Sequence, residues 1–274
     1  MKKLSIMLCC GMTLLCMTQS NAQNLPIIDG VVNRTLIKEK VPLAYENVRE
    51  ADVLWEKKVW RVIDIREKIN FSFSNPQKSF FEILHEGAKS GKITAYSTEN
   101  DNFSIPIAAE VVKKMGVKVD TISILDVEGN TTSMKKVKND LDYESVHQFR
   151  VKEVWFFDKK TASMQVRIIG IAPLLDEYDD NGNFKYTRPL YWVYYPNCRN
   201  LLAKEPFSSV ASNDANPTSW EDALEMRIFS SYITKESNIY DRRLEDYLAA
   251  TDLLLEGEKI QQSIFNYEQD LWSY

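Results

Sequence analysis

Histidine, cysteine, glycine and proline are all scarce in this sequence. Only two histidines, His85 and His147, occur in 274 residues. They lie far apart, which argues against a histidine-rich metal centre or a haem-attachment motif. Glycine and proline number nine each, too few for a collagen-like or linker-dominated chain. Positive charge is not in excess, with 34 Lys and Arg against 39 Asp and Glu and a net charge of −5. Nucleic acid and anionic membranes both require positive potential, and no basic stripe supplies it. Past the first 22 residues no apolar run approaches the roughly 18 residues of a bilayer span. The motifs G-x-S-x-G, H-E-x-x-H, C-x-x-C and G-x-G-x-x-G are all missing.

What is present is a folding composition, 44% hydrophobic and 11% aromatic. The first residues read as a secretory leader, residues 1–22. Lys2 and Lys3 form a positive start, Leu4 to Met17 an apolar stretch, and Ser20-Asn21-Ala22 a small-residue cleavage site. A lipoprotein reading is disfavoured because Cys9 and Cys16 follow Leu8 and Leu15, not a small residue. Cleavage removes two lysines and no acid, so the net charge falls from −5 to −7. It also removes three of the four cysteines. Cys198 alone cannot close an internal disulfide and reads as a small buried hydrophobe.

Residues 23–44, with Pro26 and Pro42, read as an extended arm, and 45–274 as a single α+β domain with C-terminal helices. Residues 45–58 are helix-compatible, and Trp60 to Arg66 fits helix or strand. Ser79 to Ser90 is a helix capped by Ser79 with Glu82 three residues on, stopped by Gly91. Lys92 to Tyr96 reads as a short strand, and Ile107 to Lys114 as a short helix ended by Gly116. The middle alternates as antiparallel sheet: Thr121 to Val127 with a turn at Glu128-Gly129-Asn130, then Val151 to Phe157, Ser163 to Ile171 and Lys185 to Tyr195. Asn181-Gly182 is a hairpin signal. Leu190 to Tyr195 is apolar on both faces, which suits a covered strand. Asn197 to Pro217 reads as a long loop. Ser219 caps a helix with Trp220, Leu224, Ile228 and Tyr232 at steps of four, and Ile239 to Leu255 continues as helix. Ile260, Ile264, Tyr267 and Leu271 share one helical face. The fold expected is α+β, a mostly antiparallel sheet covered by helices from both chain ends.

Several stretches approach a functional motif without reaching it. Gly87 to Ile93 resembles a phosphate loop but is a residue short, ends in Ile93, and follows a helix where a phosphate cradle must precede one. Asp179, Asn181 and Asn183 take the first calcium-loop positions, but Phe184 stands where glycine is needed. A solvated hairpin tip is the plainer reading. Asp64 near Arg66 suits a structural ion pair, Tyr191 to Tyr195 suits core rather than a sugar platform, and His85 suits a packed or surface histidine. No catalytic, cofactor-binding or metal-ligating residue is assigned, and no cofactor is expected.

One segment goes further. Trp60-Arg61-Val62-Ile63-Asp64-Ile65-Arg66-Glu67-Lys68-Ile69-Asn70 resembles the signature of the GldN/PorN family of gliding-motility and type IX secretion proteins. Ile168 to Pro173, Trp192 to Arg199 and Arg227 to Ser231 fit it in order, over roughly residues 30 to 250. The resemblance implies a periplasmic, non-catalytic component. It would join a GldK/PorK-type outer-membrane lipoprotein and further copies of itself in a ring. It would also meet the periplasmic part of a GldM/PorM-type motor protein and support cargo export across the outer membrane. On this reading residues 23–44 dock on a neighbouring subunit or on the lipoprotein, and Arg61, Arg66 and Arg199 make internal contacts. The rival readings are a secreted hydrolase, with a deep pocket of convergent titratable groups, and a carbohydrate-binding module, with Trp192 or Tyr194 facing solvent.

Overall fold

The segment that periodicity leaves between helix and strand is a strand, and it is the spine of a large antiparallel sheet. The computed structural model describes residues 35–116, 118–125, 131–139, 141, 143–179, 182–207, 218–249 and 251–272. The expected leader, the first part of the arm, and the turn residues 128–130 and 181 lie outside them. In chain order the elements are α1 (Leu36–Glu39), β1 (Val53–Asp64), α2 (Phe80–Lys89), β2 (Ala95–Tyr96), β3 (Pro106–Ile107), α3 (Ala109–Val112), β4 (Lys118–Leu125) and β5 (Thr131–Asn139). There follow β6 (Gln148–Asp158), β7 (Ser163–Tyr178), β8 (Phe184–Pro189), β9 (Trp192–Tyr194), α4 (Tyr195–Leu202), β10 (Pro206–Phe207), β11 (Thr218–Ser219), α5 (Trp220–Glu225), β12 (Tyr232–Glu236) and α6 (Thr251–Trp272).

Eight strands make the main sheet, in the order β12-β1-β6-β7-β9-β2-β3 with β8 also on β7. The β6–β7 hairpin turns at Asp158 to Ser163, as its sequence predicts. Strands β4 and β5 form a separate antiparallel pair. The architecture is therefore the α+β arrangement that the sequence predicts, with one addition. Strands from both chain ends, β1 and β12, enter the sheet beside the middle ones.

Three expectations need correction. Residues 45–58 do not form a helix; a 3-10 turn at Glu50–Asp52 leads straight into β1. Val53, Trp55 and Lys57 are half-buried while Leu54, Glu56 and Lys58 are exposed, a period of two. Lys185 to Tyr195 is not one strand. It breaks after Pro189, and Tyr195 opens helix α4, where Pro196 in the first turn needs no hydrogen-bond partner. The first part of the expected 197–217 loop is thus helical.

The third correction concerns the chain end. Helix α5 stops at Glu225, Arg227 takes a left-handed φ of 56°, and Tyr232–Glu236 becomes the edge strand. Residues spaced by four also share a face in a strand, and pairing Ile233 with Arg61 of β1 buries Ile233. Residues 239–249 carry only a 3-10 turn at Leu244–Asp246. Helix α6 starts ahead of Gly257 and buries Ile260 and Ile264, as their spacing predicts.

The core lies on both faces of the sheet. On one face Phe73, Phe80, Phe149 and Trp220 interlock at centroid distances of 4.6–5.8 Å. Farther along β1, Val59 packs with Ile233, Leu244, Ile260 and Ile264 beneath α6. Trp60, between Val59 and Arg61, points to the opposite face and clusters there with Ala172 and Trp192. Gly170 leaves room for Phe103 on that face: a Cβ at Gly170 would sit 2.3 Å from the ring's Cζ.

Gly257 has a similar role in a helix. A Cβ there would fall 2.8 Å from the backbone oxygen of Ile233. Alanine ordinarily favours a helix over glycine by about 1 kcal/mol. The clash with main chain outweighs this, so Gly257→Ala is expected to destabilise by roughly 1–2 kcal/mol in urea denaturation. A stabilised variant would show that α6 does not sit this close to β12.

Candidate assembly surface

The four family-like segments meet in the fold as a framework, not as an exposed patch. Trp60–Asn70 spans β1 and the 3-10 helix Lys68–Ser74. Ile168–Pro173 lies in β7, Trp192–Arg199 in β9 and α4, and Arg227–Ser231 between α5 and β12. The second and third pair directly, Gly170 with Tyr194 and Ile171 with Val193. The first and fourth meet on Glu153 of β6, which is fully buried. Its carboxylate lies 3.2 Å from Arg61 Nε and 2.9 Å from Arg227 Nη1. The Trp155 indole N–H donates to Glu153 Oε2 at 3.1 Å, and both guanidiniums lie over the Trp155 ring.

Asn70 makes a second tie between the same two segments. Its side-chain amide donates to the carbonyls of Asp64 at 2.8 Å and Ser230 at 3.0 Å, and accepts from the Ser230 N–H at 2.9 Å. Asn70 is fully buried, so no water can replace these bonds in place. Asn70→Ala is expected to cost roughly 1–3 kcal/mol by chemical denaturation, because buried backbone groups lose their partners. A loss well under that range would mean that the Asn70 tie is dispensable.

The arginines of the signature resolve individually. Arg61 and Arg199 are buried, and Arg199 Nη2 lies 2.7 Å from Glu221 Oε1. Arg66 is exposed and bound to Asp64, which also accepts from Gln148 at 3.0 Å. Burial opposes the Asp64 charge, but the Arg66 and Gln148 hydrogen bonds prevail and hold its pKa at about 2.

Other candidate residues are structural. His85 is 1% exposed, its Nδ1 is 3.2 Å from the Tyr191 hydroxyl, and its ring stacks near Phe81. Cys198 donates to the Tyr194 carbonyl at 3.2 Å, and burial pushes its thiol up to about 12. Trp192 is buried and Tyr194 half-buried, so the solvent-facing platform of a carbohydrate module is not formed. Gly87 lies in the last turn of α2, and Gly91 has the left-handed φ of 74° that ends it. The phosphate-loop look-alike is thus a helix C-terminus. The Asp179 carboxylate accepts from the backbone N–H of Asn183 at 2.8 Å, as in a hairpin tip.

Burial lowers the His85 pKa from 6.5 to about 4. The unfolded chain therefore binds the proton more readily. Stability from this group is complete above pH 6.5 and falls as the pH drops towards 4, by roughly 3 kcal/mol in all. Urea midpoints measured from pH 7 to 4 test this. His85→Phe should flatten that part of the curve; an unchanged slope would contradict the assignment.

Two groups of exposed apolar side chains stand out on the surface. From Lys40 to Glu46 the chain is fastened to its own body. Lys40 Nζ donates to Ser219 Oγ at 3.1 Å and pairs with Asp222, while Arg167 donates to the Glu46 carbonyl at 2.7 Å. The Tyr45 ring lies 4.0 Å from the Arg199 guanidinium carbon, and its hydroxyl donates to Glu225. Yet Leu36, Val41 and Leu43 on this same strap are 76%, 77% and 85% exposed. A second group comprises Leu254, Leu255 and Phe265 on α6 with Ile239 and Tyr240 before it.

A family model described as gliding motility associated protein GldN matches residues 48–273. The match takes in all four segments and the Glu153 and Asn70 ties between them. No curated protein matches the chain. Among the described residues no helix is long and apolar enough to cross a membrane.

Proposed function

As the chain belongs to the GldN family of gliding motility associated proteins, we propose that it is a non-enzymatic structural part of the gliding and type IX secretion machinery. In this reading it is exported to the periplasm. There it joins a GldK/PorK-type outer-membrane lipoprotein and copies of itself in a ring, and it touches a GldM/PorM-type motor protein. The observation that carries the reading is the family match, which spans nearly all of the folded body. Two further features support it. A heterologous contact repeated with rotation closes a ring, and such contacts need apolar anchors on two separate surfaces of a folded body. The strap offers Leu36, Val41 and Leu43, and α6 offers Leu254, Leu255 and Phe265.

The test is affinity isolation of the tagged chain from solubilised envelopes. A lipoprotein of the GldK/PorK type co-isolating in a large particle is the result expected. A tagged chain recovered from the envelope alone, as a monomer, would contradict the proposal.

A further inference from the structure

On the sheet face that carries Trp60 lies a cavity of about 400 Å³ with a basic floor. Five cations line it: Arg150 and Lys152 of β6, Lys235 of β12, Lys58 of β1, and Arg243. Trp60 of β1 stands opposite Lys152 on one side and Lys235 on the other, and the two ammonium groups lie 5.4 and 4.4 Å from its ring centre. Arg150, Lys152 and Lys235 are each more than nine-tenths buried.

The two lysines are already compensated. Lys152 Nζ lies 3.2 Å from the Asp101 carboxylate and donates to the Asp101 carbonyl at 2.7 Å. Lys235 Nζ lies 2.6 Å from Asp241. Asp101 and Asp241 are thereby occupied. Arg150 differs. It has no hydrogen bond and no ion pair among the described residues, although it is 8% exposed. Arg243 repels it, while Glu245 and Asp101 attract it from a distance. Burial lowers its pKa to about 10, so it remains cationic at neutral pH. Its guanidinium keeps five N–H donors free for a ligand in the cavity.

We propose that this cavity is a carboxylate-binding site with Arg150 as its forked anchor. The planar guanidinium matches a carboxylate through two parallel hydrogen bonds. With Lys58 beside Glu56, the unpaired Arg150 and Arg243 set against Glu99 leave one surplus positive charge in the lining, which favours a carboxylate over a phosphate dianion. The rings of Trp60 and Trp192 bound the site on its apolar side, and apolar walls strengthen the pairing. The carboxylate comes from a small free acid or from an acidic side chain of a partner polypeptide.

The experiment is calorimetric titration of the full chain with glutarate, with a capped glycine-serine peptide carrying one glutamate, and with inorganic phosphate. At least one carboxylate probe should saturate. Glutarate binding without the peptide marks a free acid as the source, and tighter peptide binding marks a partner side chain. In Arg150→Met the affinity should drop about tenfold or more, and in Arg150→Lys by less, because charge remains but the fork is lost. Melting curves keep the result interpretable: the bound carboxylate should raise the melting temperature of the wild type and not of Arg150→Met. If Arg150→Met does not fold, Lys235→Met serves as the second variant, and weaker carboxylate binding is expected there too. No saturation by either carboxylate up to about 10 mM would overturn the proposal. So would unchanged affinity in the Arg150 variants, or phosphate bound as tightly as carboxylate.

Discussion

Replacing Glu153 with alanine is expected to lower the unfolding free energy by roughly 3–5 kcal/mol, the cost of breaking a buried ion pair from one side. The carboxylate is fully buried and the Arg61 side chain 5% exposed. Without Glu153 two guanidiniums would face each other across an apolar gap, and Arg227 already opposes the charge on Arg61. Glu153 also ties the strand that opens the domain to the segment after α5, so the loss reaches both chain ends. Urea unfolding followed by tryptophan fluorescence measures it directly. Pairing Glu153→Met with Arg61→Met should recover much of the loss, because burying two apolar side chains replaces an ion pair at little cost. A Glu153→Ala loss below about 1 kcal/mol would mean that the triad is solvated in solution.

The second large effect concerns association, not folding. Replacing Leu36, Val41 and Leu43 together with aspartate should leave the melting temperature nearly unchanged, because exposed side chains contribute within about 0.5 kcal/mol each. If the strap is the docking surface, each anchor is worth about 1–2 kcal/mol of binding, and the triple variant should lose lipoprotein association by two orders of magnitude or more. Lys40 and Tyr45 hold the strap's far end to α5, which presents these three residues in a fixed place. Binding measured on purified chain and lipoprotein separates the two effects. Retained association with the triple variant would move the docking surface elsewhere, with Leu254, Leu255 and Phe265 of α6 the next to replace.

What could be read from the sequence was local and strongly patterned. Helix α2 was legible because Ser79 caps it, accepting from the Glu82 N–H at 3.1 Å, and Gly91 ends it. The β6–β7 hairpin was legible because Met164, Val166 and Ile168 alternate with polar residues. Strand β12 was not, because Trp220, Leu224, Ile228 and Tyr232 satisfy both a helical and a strand spacing. Only pairing with β1, more than 150 residues earlier, decides it. The same non-locality hid the buried chemistry. Arg150 and Lys152 occupy alternate places on one strand, which alone suggests a solvated face. The Asp101 loop covers Lys152, and nothing near it in sequence says so. Glu153 with Arg61 and Arg227 is likewise a contact among three distant segments. The sequence suggests a docking arm over 23–44; its described part is fastened to α5 from Lys40 onward while Leu36 and Leu43 remain exposed.

The central claim is that this chain acts by holding other components of a machine together. Deletion of its gene, scored for surface spreading and for cargo with a C-terminal export signal, tests that claim most directly. The expected outcome is loss of spreading and retention of cargo in the periplasm. Wild-type chain should restore both, and the strap triple variant neither. Normal spreading and normal export in the deletion strain would contradict it.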